Sequence, residues 1–114
     1  MVLIVLNRYR VKEAIKRWMM LRTPGLYESI EPVCLRDYKK SCLDLFLDEP
    51  DKFRELLVMQ FRDQNYIYFL IRYTIIRPLL KELRREELEE ELATDFINDI
   101  DKFKSIFRDA TAAA

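Results

Sequence analysis

The chain has no histidine, one glycine, two cysteines and four prolines among 114 residues. Absent histidine removes the side chain that most often does acid–base work near neutral pH and most often binds transition metals. Serine–histidine and cysteine–histidine nucleophile systems cannot be assembled within it. Glycine-rich phosphate loops need several glycines, and Gly25 stands alone. Tight β-hairpins draw on glycine for positive φ, which nearly excludes an all-β fold. Long apolar runs are missing too. Residues 1–6 and 66–71 are the longest, each far short of the ~20 residues that span a bilayer. The opening run lacks a basic flank and a small-residue cleavage site, so no signal peptide is expected.

Cys34 and Cys42 are eight residues apart. On one continuous helix that spacing is about 12 Å, beyond the ~7 Å reach of a disulfide. Two free thiols and a reducing, cytoplasmic setting are therefore expected. A zinc site would need more thiolate or imidazole ligands than one chain supplies, so neither metal nor cofactor is expected.

What is present is apolar bulk and charge. Half the residues are hydrophobic and 35% are charged, with 20 basic and 20 acidic side chains. Such a composition is not that of a disordered chain. The length suits one domain that buries about two-thirds of the surface its unfolded chain exposes. We read residues 1–110 as a single helical domain and 111–114 as a frayed tail or expression-vector scar.

Apolar periodicity supplies the elements. Val11, Ala14, Ile15, Trp18 and Met19 form one helical stripe, with Asn7 as its N-cap and a stop at Thr23, Pro24 and Gly25. Pro32 suits the first turn of a second helix carrying Leu35, Tyr38, Cys42, Leu45 and Phe46. Residues 48–51 end that helix and start a third, which carries Phe53, Leu56, Leu57 and Phe61. A fourth helix, about 65–83, is apolar in nearly every direction in its first half, so a central, buried position is expected. Pro78 leaves the carbonyl of Thr74 without its donor and should kink this helix. A short glutamate-rich helix follows, then a last one capped by Thr94 and carrying Phe96, Ile100, Phe103 and Phe107. The expected fold is all-α, a compact bundle of five or six helices around helix 65–83.

The balanced charge is unevenly placed: residues 1–25 carry a net +5 and residues 84–101 a net −6. Arg8, Lys12 and Lys16 recur every four residues. With Arg10 and Arg17 they make a candidate nucleic-acid strip, unless the face is solvated or paired with the acidic segment. Arg72 sits among apolar neighbours and calls for a carboxylate from Asp37, Asp44 or Asp63, or for a partner. Tyr66, Tyr68 and Arg77 complete a set of candidate partner contacts, although Tyr66 and Tyr68 lie about 200° apart on a helix and cannot share one platform. The glutamate pairs Glu86/Glu89 and Glu87/Glu90 lack the histidine of a bundle di-iron site and suit a solvated face.

No residue carries a motif-level family match. The pattern of a short, all-helical, charge-rich chain broadly resembles small accessory subunits of archaeal or viral nucleic-acid machinery. Arginine exceeds lysine, a weak thermophilic signature. The leading expectation is a non-catalytic protein–protein interaction module, a homo-oligomer or small accessory subunit. Its alternative is a nucleic-acid-binding accessory protein of replication, transcription or defence machinery. No membrane contact, small-molecule substrate or enzymatic activity is expected.

Overall fold

The computed structural model describes the backbone of residues 2–112 and the side chains of residues 8–110. The side chains of Met1–Leu6 and the tail beyond Ala112 lie outside the described residues. The elements are α1 (Val2–Arg22), α2 (Leu26–Tyr38), α3 (Cys42–Asp48), α4 (Pro50–Phe61), α5 (Gln64–Leu70), a π segment (Ile71–Ile76), α6 (Arg77–Leu83), a 3-10 turn (Glu86–Leu88), α7 (Glu89–Asn98) and α8 (Ile100–Ala112). Residues 64–83 run on as one rod through the π segment. Among the described residues the all-α bundle therefore has seven principal helices rather than five or six.

Local chemistry sets most boundaries. The backbone is already helical at Val2, so Asn7 lies within α1 rather than at its N-cap position. Gly25 turns the chain into α2 with φ 90°, a region that a side chain would strain. Pro32 falls within α2 rather than at its start. Pro50 does occupy the first turn of α4, where its missing N–H is not needed. The Asp63 carboxylate accepts from the main-chain N–H groups of Asn65 and Tyr66 at 3.0 and 3.3 Å, opening α5. Thr94 lies inside α7, and Asp99 opens α8 instead by accepting from Lys102 N–H at 3.2 Å.

The expected single helix through both cysteines is broken. Lys39 adopts φ 62° and ends α2, and the Ser41 hydroxyl caps α3 by accepting from Asp44 N–H at 3.2 Å. This corner folds Cys42 back onto Cys34. Their Cα atoms are 5.3 Å apart and the sulfurs form a disulfide. The thiols are therefore not free, and the reason for expecting a reducing compartment falls with them. Beside the bridge, Glu31 accepts from Cys42 N–H at 2.6 Å and from the Tyr27 hydroxyl at 2.5 Å.

Phe46 is the hub of the core. Its ring lies 5.6–6.3 Å from those of Phe53, Phe96, Phe103 and Phe107, so α3, α4, α7 and α8 meet at one aromatic cluster. On the other side α1 packs along the π segment and α6, burying Val11, Ile15 and Met19 with Ile71, Ile75 and Leu79. Truncating a buried phenylalanine of this kind costs about 3–5 kcal/mol. No helix among the described residues is long and apolar enough to cross a membrane.

Ahead of Pro78, where a kink was expected, the helix changes register. The helix widens ahead of the proline into the π segment, where Arg77 N–H bonds to Arg72 O, five residues back. That register relieves the crowding that a proline ring imposes on the preceding turn. The Thr74 hydroxyl adds a bond to the Leu70 carbonyl.

Candidate functional site

The basic strip of α1 is partly consumed inside the fold. Arg8 bridges Asp44 at 2.9 Å and Asp48 at 3.0 Å, and Lys12 meets Asp44 at 2.9 Å. Arg10 contacts Glu82 at 3.5 Å, and Lys16 lies 5.4 Å from the centre of the Tyr27 ring. Burial raises the Asp44 carboxyl, but hydrogen bonds from Lys12, Arg8 and Ser41 outweigh it and hold the group down at about 2. The basic end is thus paired chiefly with α3, not with the acidic segment 84–101. Arg17 remains exposed beside Met20 and Leu21 on a shallow apolar patch.

Arg72 has a carboxylate partner, and it is none of the three aspartates expected. Glu89, at the start of α7, accepts from Arg72 Nε at 2.8 Å and from Arg77 Nε at 2.8 Å and Nη2 at 2.9 Å. The Glu89 side chain is only 15% exposed. Its hydrogen bonds from Arg77 and then Arg72 hold its carboxyl below the usual range against the opposing effect of burial. Arg72 also donates to the Tyr68 hydroxyl at 2.7 Å. Arg72, Tyr68 and Arg77 therefore form one network, while Tyr66 turns away and packs on Phe61 at 5.1 Å. The two tyrosines do lie on different faces.

The same helix does not stay buried. Its first half presents Tyr66, 47% exposed, and Phe69, 56% exposed. With Tyr73 and Arg77 of the rod and Trp18 and Arg22 of α1, these residues line an open groove of about 400 Å³. Trp18 ties its walls together, donating its indole N–H to the Tyr73 carbonyl at 2.7 Å. Arg22 lies 4.7 Å and Lys81 5.2 Å from the Trp18 ring centre. Tyr73 stacks on Phe69 at 5.8 Å and lies beneath Arg77 at 4.5 Å and Arg72 at 5.3 Å.

Sequence reasoning named Tyr66 and Arg77 but missed Trp18, Arg22 and Phe69 as groove residues. The helical stripe placed Trp18 with the core, and only the i, i+4 spacing of Trp18 and Arg22 hinted at a shared outer face. Comparison with protein families, curated proteins and solved structures finds no match to the chain.

Proposed function

We propose that the chain is a non-catalytic protein–protein interaction module that docks through the groove between α1 and the 64–83 rod. One observation carries this reading. Trp18, Tyr66, Phe69 and Tyr73 converge on a single open groove with Arg22 and Arg77 in its wall. Tryptophan, tyrosine and arginine dominate interface hot spots because they bring large area and directed polar groups at little conformational cost. A tyrosine and a phenylalanine left about half exposed on a helix also favour burial by a partner. Arg8 and Lys12, which a nucleic-acid role on α1 would use, are already engaged by Asp44 and Asp48.

Affinity purification of the tagged chain from its native source, with nuclease treatment and mass spectrometry, tests the reading. The expected result is protein, further copies of the chain included, retained by the native sequence and lost by Phe69→Asp. Retention of nucleic acid alone, released by nuclease, would overturn it.

A further inference from the structure

The groove is not uniformly basic ground. Arg22 and Lys81 are exposed and, among the described residues, have no carboxylate partner. Lys81 stands one turn beyond Arg77 on α6, and the acidic ridge of the 3-10 turn and the start of α7 meets this helix at Arg77. The ridge is anchored to the groove wall through Arg77 and Glu89. Glu86 and Glu90 of this ridge are exposed and likewise lack a cation. The end of the groove at Trp18 therefore carries two unpaired cations, and the ridge joined to its wall carries two unpaired anions.

Resting on the proposed docking role, we propose that the groove's occupant is a second copy of this chain, bound about a two-fold axis. Each ridge, with Glu86 and Glu90, then lies against the Arg22 and Lys81 side of the other copy's groove, and Phe69 is buried between them. A two-fold interface brings the same patch of each subunit together and so demands a self-complementary surface. A patch bearing both signs side by side meets that demand, and net zero charge leaves no overall repulsion between copies. A single-stranded nucleic acid fits less well. It would need free aromatic faces for stacking, whereas Trp18 is covered by Arg22 and Lys81, and Tyr73 by Phe69 and Arg77. The acidic ridge would also repel its phosphates.

Sedimentation equilibrium of the purified chain tests this, with circular dichroism as a check that each variant is folded. The native chain should be dimeric at low salt, and dissociation should rise with salt. Phe69→Asp should be monomeric. Arg22→Glu/Lys81→Glu and Glu86→Lys/Glu90→Lys should each weaken self-association by at least about tenfold. Mixed together, these two variants should form a heterodimer, because each then meets its opposite at both contacts. A native chain that stays monomeric overturns the second-copy proposal, as does a dimer indifferent to all these changes. If the monomeric chain still captures a different protein through Phe69, the docking role stands and only the identity of the occupant falls. Binding of an oligonucleotide that Phe69→Asp abolishes would overturn both.

Discussion

Trp18 satisfies a carbonyl of Tyr73 that the 64–83 rod cannot satisfy for itself. Arg77 N–H, four residues beyond Tyr73, is spent on Arg72 O. Pro78, five residues beyond, has no N–H. The π register thus moves the proline's orphaned acceptor from Thr74 to Tyr73, where the indole of α1 reaches it at 2.7 Å. An unmet carbonyl at a packed helix contact costs about 1–3 kcal/mol, so this bond helps fix how α1 seats on the rod.

Trp18→Phe should therefore destabilise the protein by about 1–2 kcal/mol beyond its loss of packing. The same change should cost less in a Pro78→Ala background, where residue 78 supplies an N–H of its own. A double-mutant cycle from urea midpoints should show coupling of about 1 kcal/mol. Strict additivity would contradict the account.

Glu89 is the shared acceptor for two guanidinium groups in a largely buried position. Glu89→Gln keeps the shape but removes the charge, leaving Arg72 and Arg77 facing each other uncompensated. A loss of about 2–3 kcal/mol in chemical denaturation is expected. Glu55→Gln, on an exposed side chain of α4, should change stability by less than about 0.5 kcal/mol.

Asp44 has its carboxyl lowered from 3.8 to about 2. A depressed carboxyl contributes stability above its unfolded value and loses it as pH falls toward its folded one. The contribution, about 1 kcal/mol once solvent screening of this partly exposed group is counted, should be intact above pH 4 and fade between about pH 4 and 2. Asp44→Asn should lower stability at pH 7 and flatten that acid limb. Thermal melts across the range would check both.

The Cys34–Cys42 bridge closes a short loop around the α2–α3 corner. Loop-closure entropy for this span gives about 2–3 kcal/mol. Reduction, or Cys34→Ser with Cys42→Ser, should lower the urea midpoint accordingly. The helical signal should persist at 25 °C, since the Phe46 cluster does not depend on the bridge.

Fold class was legible in the chain because it rests on repeated local signals. Pro50 with its acidic flank marked the start of α4, and apolar stripes placed most core residues, such as Ile15, Leu57 and Phe103. Errors arose where one residue without a local signature decided the geometry. Lys39 takes the left-handed corner that glycine or asparagine would have advertised, and with it went the pairing of Cys34 with Cys42. Arg84 hides a similar corner. Arg72 plainly needed a carboxylate, but its partner lies 17 residues onward, past a turn whose path no periodicity reports. Pro78 announced an orphaned acceptor. Which carbonyl would bear it depended on a π register that the sequence does not spell out.

The α2–α3 corner has a consequence for the fate of the chain once cut. Lys39 and Lys40 sit between the two bridged cysteines, and Lys39 is exposed. A trypsin-like protease that cleaves after either lysine opens the backbone but leaves both fragments joined through sulfur. The nicked protein would keep its full mass on a non-reducing gel and divide only when a reductant is added.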